Sequence, residues 1–258
     1  MKKIKFMIML AVVAALPLFS SCNNNDFDDS NYPAYYGYVT LATDLTNNTY
    51  WFISDSNKKI YPGDTQYLKL YQYVATDDSR TVESGESKYP LVDSEGKDKN
   101  GRRVLIYYNL LEEKVPNFDY NISLYRIYDI LSKTVEVANT EDELKKFGDV
   151  GLNIGYASLS GDWVDTQINV VTATGAKHVI SLVDNKYQIK NPVSVPSDYL
   201  YLELHQSVSG EVGGSYATGN VSFKLPEQYN PAKQGKKGLY IGFKDLNGTY
   251  QYVRLENK

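Results

Sequence analysis

His178 and His205 are the two histidines of this 258-residue chain and the natural place to look for acid–base or metal chemistry. They stand in separate strand-like runs. His178 shares strand parity with Ile180 and Leu182, which points it toward a core. His205 shares parity with Tyr201 and Glu203, the expected wet face. A zinc site needs three or four converging ligands, and neither histidine has a partner at ligand spacing. The nucleophile-elbow pattern of serine hydrolases is absent. Asp93, Glu95, Asp98 and Asn100 bring into one loop the oxygen ligands that calcium prefers. Their spacing is not that of an EF-hand loop, and Lys97 and Lys99 intervene, so they read as a solvated loop. The sequence therefore assigns no catalytic residue, metal or cofactor. Tyrosine gives the one positive hint of binding. Tyr35, Tyr36 and Tyr38 in "YPAYYGY", with Tyr107 and Tyr125 from two later strands, form a candidate aromatic surface. Such rings pair an apolar face with a hydroxyl edge and can stack on sugars.

The single cysteine, Cys22, has a different context. Lys2, Lys3 and Lys5 precede the apolar run "FMIMLAVVAALPLF", and Ser20 and Ser21 stand immediately before the cysteine. The run has the length of a signal-peptide core and is too short for a bilayer of about 30 Å. Small residues ahead of the cysteine resemble a bacterial lipobox, in which the thiol is acylated and the chain is cut before it. Residues 1–21 are thus expected to be a lipoprotein signal peptide, and Cys22 the lipid anchor. More than one acyl chain makes such anchoring stable. Residues 22–34 read as an acidic tether. Within it Asp26, Asp28 and Asp29 form a candidate sorting signal.

Without the first 21 residues, 24 basic residues face 31 acidic ones. That balance argues against nucleic acid as a partner. With no cysteine after Cys22, the exported chain must hold its cores without disulfides. Tyrosine, at 24 residues, favours strands.

Alternation confirms that bias. Val104, Ile106, Tyr108 and Leu110 share one face, as do Ile122, Leu124, Tyr128 and Ile130, with Arg126 interrupting as at a bulge or a strand that leaves the sheet. The polar stretch 76–101 reads as a mobile excursion. Thr140 to Glu143 fits a capping box and predicts a short helix ending at Gly148. From residue 150 hairpin signals recur at Gly161, Gly175 and Asn247-Gly248. Leu200, Leu202 and Leu204, then Val221, Phe223 and Leu225, then Leu239, Ile241 and Phe243 each line one face. Repeated over about seven strands, this predicts antiparallel sheets packed as a sandwich.

"GRRVLIYYNLL", "YDILSKTVEV", "GDWVDTQINVVTATGAKHVISLV", "YLYLELHQ" and "VSFKL", with the lipobox and acidic tether, resemble the NigD-like lipoproteins of Bacteroidota. The resemblance implies an all-β chain: an N-terminal OB-like barrel over 35–132, a linker with the short helix over 133–149, and a C-terminal β-sandwich over 150–258. One departure is His205-Gln206-Ser207, where relatives tend to read Arg-His-Asn. OB-type barrels often bind oligosaccharides or oligonucleotides.

The expected function is a non-enzymatic binding or shielding lipoprotein of the outer membrane. It would sit on the membrane through its lipid and face the cell surface, with a protein or glycan partner. An envelope hydrolase with an unrecognised site, or a bacteriocin-immunity protein, are the rival readings. A hydrolase would show neighbouring carboxylates or a histidine–carboxylate pair in a cleft. Cys22→Ala should abolish incorporation of labelled fatty acid; label retained by that variant would refute the anchor.

Overall fold

The computed structural model describes residues 33–73, 81–84, 88–187, 195–210 and 213–257. The signal segment, Cys22 and the acidic residues Asp26, Asp28 and Asp29 lie outside them. Strands β1 (Tyr35–Asp44), β2 (Thr49–Ile53), β3 (Lys59–Asp64), β4 (Lys69–Tyr73), β5 (Thr81–Glu83), β6 (Arg103–Leu110) and β7 (Tyr120–Asp129) form the first sheet. Antiparallel ladders join β3 to β2, β2 to β1, β1 to β6 and β6 to β7. A parallel ladder from β3 to the first half of β7 closes a five-stranded barrel, and the second half of β7 carries β4. This is the OB-like barrel expected from the resemblance.

Val104, Ile106 and Tyr108 fill its interior as the alternation predicts, with Val39, Leu41 and Phe52 facing them. Leu110, at the end of β6, is exposed instead. In β7 the register slips between Tyr107, opposite Arg126, and Tyr108, opposite Leu124. Tyr125 is the extra residue of a bulge, and beyond it parity inverts. Ile122 and Leu124 point inward before the bulge, Ile127 after it. Tyr128 is thereby turned to the outer wall.

The excursion departs from expectation over its described second half. Tyr89 and Leu91 enter the barrel core. Lys99 is buried: its Nζ donates to Asp129 Oδ2 at 2.8 Å and lies 4.6 Å from the Tyr89 ring. The Tyr89 hydroxyl donates to the other Asp129 oxygen. Charged residues usually stay outside, which is why composition suggested solvent. Here lysine and aspartate neutralise each other, and residues 88–101 pack onto the barrel.

Strands β8 (Leu131–Thr134) and β9 (Glu136–Ala138) follow β7 almost without a break. The sequence reading assigned these residues to the end of the first domain and to the linker; they are edge strands of the second. Then come α1 (Glu141–Lys146), β10 (Asn153–Ser160), β11 (Trp163–Thr172), β12 (Lys177–Asn185), β13 (Tyr199–Ser209), β14 (Ser215–Lys224), β15 (Gly238–Lys244) and β16 (Tyr250–Glu256). One sheet runs β10-β11-β14-β8, the other β16-β15-β13-β12-β9. The hairpins are antiparallel. Because the chain crosses to the β10-β11-β14-β8 sheet at β14 and returns, β15 lands parallel to β13. The helix is capped as predicted: Thr140 Oγ1 accepts from the Glu143 N–H at 3.2 Å. Glu143 Oε2 reaches back to the Asn139 N–H at 2.7 Å.

Leu202, Leu204, Val221, Phe223, Leu239 and Ile241 all enter the sandwich core. Their alternates are not uniformly wet, since Ser222 and Glu203 are buried as well. Ser222 is covered because the barrel stands on the outer face of β11 and β14. At that contact Arg103 of β6 is fully buried. Its guanidinium forks to Asp55 at 2.6 and 2.8 Å and to Asp165 of β11 at 2.7 and 3.1 Å. The Ser222 hydroxyl donates to Asp165 Oδ1 at 2.7 Å. The rings of Tyr38 and Trp163 lie 5.9 and 5.5 Å from the cation. Removing one member of a buried ion cluster strands the others and costs about 3–5 kcal/mol. Arg103→Met should therefore lower the unfolding free energy in urea by about that amount. An unchanged midpoint and slope would show that the clamp contributes nothing.

Candidate functional site

The outer wall of the barrel gathers tyrosines by strand register. Tyr36 of β1 pairs with Tyr107 of β6, and Tyr107 with Arg126 of β7. One row along, Tyr128 of β7 pairs with Tyr71 of β4. The rings form a continuous ladder. Tyr36 stacks on Tyr107 at 5.6 Å, Tyr107 meets Tyr128 at 5.6 Å, and Tyr128 stacks on Tyr71 at 4.2 Å. Arg126 lies over Tyr107 at 5.6 Å. Stacked rings spend their faces on one another, so the middle of the ladder offers hydroxyl edges. Tyr36, at its end and 46 % exposed, keeps a free face. Burial, then neighbouring groups, raise the pKa values of Tyr71 and Tyr107; the Tyr71 hydroxyl already donates to Glu83 Oε2 at 3.2 Å.

Of the five tyrosines singled out in the sequence, Tyr36 and Tyr107 meet on this wall. Tyr125 is also outside, stacked at 6.2 Å on Tyr67. Tyr35 points the other way and packs with Tyr108 against the barrel core. Tyr38 turns to the junction with the sandwich, where its hydroxyl donates to Asn220 Oδ1 at 3.2 Å. Tyr71, Tyr128 and Arg126 complete the wall. Strand parity had grouped Tyr128 with Ile122 and Leu124, and only the bulge at Tyr125 moves it outside. Arg126 breaking the alternation was the signal of that bulge.

A histidine–carboxylate pair does exist, on the outer face of β13. His205 Nε2 lies 3.0 Å from Glu203 Oε2, and His205 Nδ1 lies 3.0 Å from the Gly148 carbonyl oxygen. Both ring nitrogens thus face acceptors, which suits the doubly protonated imidazolium. Glu203 is 4 % exposed and also accepts from the Asn185 amide and the Tyr201 hydroxyl. Both nitrogens and both oxygens of the pair thus have partners within the protein. The pair anchors the end of α1 to the sheet, with the Phe147 ring 6.5 Å from the imidazole. His205 is therefore covered rather than on a wet face. His178 is buried as parity predicts, between Thr172 Oγ1 at 2.8 Å and Gln206 Nε2 at 2.9 Å. His205-Gln206-Ser207, the trio that departs from the family pattern, is packed and not displayed: a side chain at Gly148 would meet the Gln206 carbonyl at 2.5 Å.

The loop carboxylates do not converge either. Asp93 accepts from the Glu95 and Lys97 backbone N–H groups, each at 2.9 Å, and pairs with Arg102. Asp98 accepts from Thr43 Oγ1 at 2.6 Å. Among the described residues no group of three or more His, Cys, Asp or Glu could hold a metal ion.

Burial of the His205 ring disfavours its charge, but Glu203 and the Gly148 carbonyl outweigh that and raise its pKa. A group whose folded pKa is raised contributes stability that is complete below its unfolded value, about 6.5, and fades as pH climbs through the folded value. The stability difference between the wild type and His205→Gln should therefore be largest near about pH 5 and shrink toward about pH 9. Urea midpoints across that range test it, and a difference that grows with pH would contradict the pairing.

Residues 69–130 match the NigD-like N-terminal OB domain and residues 134–257 the NigD-like C-terminal beta sandwich domain. No curated protein is significantly similar to the chain. Solved structures similar to it include a protein of unknown function from Bacteroides vulgatus, with TM-score 0.59 and 18% identity, the match covering 86% of this chain and 89% of that one. A lipoprotein candidate of Bacteroides fragilis is 16% identical with TM-score 0.53, over 87% and 98% of the two chains. A NigD-like immunity protein of Bacteroides caccae is 13% identical with TM-score 0.52, over 86% and 93%. At such identities the likeness is one of fold. Neither matching model describes an enzyme. With both models matching in order along the chain, it belongs to the NigD-like family.

Proposed function

We propose that this protein is a non-enzymatic binding lipoprotein of the outer membrane, held by acyl chains on Cys22 and facing the cell surface. Its ligand, a protein or a glycan, docks on the tyrosine wall of the barrel. The observation that carries this reading is the ladder Tyr36–Tyr107–Tyr128–Tyr71 with Arg126 beside it. Aromatic residues and arginine are the side chains that dominate binding energetics at interfaces. An aromatic row on the outer wall contributes nothing to filling the barrel, so packing of the interior does not account for it. The absence of a free acid–base pair at Glu203 and His205 supports a binding role over a hydrolytic one.

The anchoring half of the reading rests on the basic, apolar and small-residue run before Cys22. Asp26, Asp28 and Asp29 then act as the sorting signal for the outer face. On intact cells, a protease that cannot enter should remove the sandwich domain from antibody detection while a periplasmic control survives. Replacing the three aspartates with alanine should protect it. Digestion only after lysis would move the protein to the periplasmic face. For the wall, a photoreactive phenylalanine analogue at position 36 should form a crosslinked adduct in living cells, and one at Lys186 on the sandwich should not. No adduct at position 36, or equal adducts at both, would sink the docking assignment.

A further inference from the structure

The sandwich sheet that carries the barrel is covered by it only in part. Under the barrel, Asp165 of β11 pairs with Ser222 of β14. The next outward positions along the same strands are Gln167 opposite Asn220 and Asn169 opposite Thr218. Exposure rises along β14 from buried Ser222, through half-buried Asn220, to Thr218 in solvent and Tyr216 at 79 %. The neighbouring β10 adds Tyr156 opposite Gln167, 46 % exposed. A register shift at Gly155 sits between them. A side chain at Gly155 would meet Asn169 Nδ2 at 3.1 Å and Gln167 Oε1 at 3.4 Å, so the glycine leaves both amides uncovered.

None of these outward positions carries a charge, in a chain where 22% of residues are charged. The face is amide, hydroxyl and tyrosine, with Val171 as its apolar member. At the corner where it meets the barrel, Tyr38 donates to Asn220. Tyr36 and Tyr38 alternate onto the same side of β1, so the exposed end of the tyrosine wall adjoins that corner. The free end of the tyrosine wall and the amide face therefore form one surface, contributed by both domains.

We infer that this junction binds an uncharged polysaccharide, with Gln167 and Asn169 hydrogen-bonding sugar hydroxyls and Tyr36, Tyr156 and Tyr216 offering ring faces. The inference deepens the binding role proposed above and rests on it. Chemistry selects the occupant. A protein partner needs a desolvated apolar centre, and this face has a single apolar side chain. A polyanion needs a cluster of lysines or arginines; the amide face has none, and the wall's Arg126 lies over the Tyr107 ring. An amide both donates and accepts, as each sugar hydroxyl does, and an aromatic face covers the C–H face of a sugar ring.

Native gels cast with neutral polysaccharides (galactomannan, xyloglucan, mannan and mixed-linkage glucan) or with polygalacturonate test the assignment on the full-length protein. The expected result is retardation by at least one neutral polymer. Gln167→Glu with Asn169→Asp keeps side-chain shape and the acceptor for Thr218, but removes both amide donors. Loss of two neutral hydrogen bonds should weaken that retardation about tenfold. Tyr36→Ala should weaken it too, because the same ligand touches the wall; melting curves for each variant separate lost binding from lost folding. No retardation in any neutral gel, or retardation by polygalacturonate alone, overturns the inference. If Tyr36→Ala abolishes retardation and the amide variant does not, the ligand sits on the barrel alone: the junction site is then wrong, while the proposed docking on the wall stands.

Discussion

Everything that makes two domains into one surface passes through a single buried guanidinium. Arg103 leaves the barrel strand β6 with no access to water, so its charge must be met inside the protein. A cation in that position demands more than one carboxylate in planar, bidentate register. Asp55 comes from the barrel and Asp165 from the sandwich. The fork geometry leaves little freedom in how the sandwich sits. Burial of an ion pair is weak evidence for net stability; what it supplies here is an orientation. With Asp165 pinned, Trp163 and Tyr38 close over the cation, and Tyr38 reaches Asn220. The tyrosine wall and the amide face become neighbours as a consequence.

Strand β7 imposes the second constraint. Its first half must pair with β3 to close the barrel, and its second half must pair with β4. One strand cannot serve both partners at a single parity while keeping its apolar residues inside. The bulge at Tyr125 resolves the conflict by inverting the pattern between Leu124 and Ile127. That inversion sends Arg126 and Tyr128 outward together. The same chain then runs on into β8 and β9, so the barrel and both sandwich sheets share one nearly continuous segment. A rotation of one domain would have to break this segment as well as the Arg103 cluster.

On the outer face of β13 a histidine–carboxylate pair is built into a polar network. Glu203, His205, Tyr201 and Asn185 hydrogen-bond in one network, and the Phe147–Gly148 turn after α1 packs against His205. The two faces of the sandwich thus differ in kind. One has closed its polar groups into a network beside the turn that follows α1. The other leaves Gln167 and Asn169 beside an open glycine and exposed tyrosines.

The strands themselves were legible in the sequence. Leu202, Leu204, Val221 and Phe223 announce their faces by alternation, because a strand with one buried side repeats every two residues. The helix at Glu141–Lys146 was legible too, since its cap is made by residues adjacent in sequence, Thr140 and Glu143. What only the tertiary structure decided was which residues meet. Nothing near Arg103 in sequence says that it will find Asp165, 62 residues away. Lys99 looks solvated until Asp129 arrives beside it. Parity misplaced Tyr128 because a bulge moves every later residue by one. It also read Glu203 and His205 as wet because the groups that meet them, Asn185 and the Phe147–Gly148 turn, come from elsewhere in the chain. Local rules carry the propensity of each strand, but a site is made of long-range pairings, and those depend on register and on which charges must be neutralised inside.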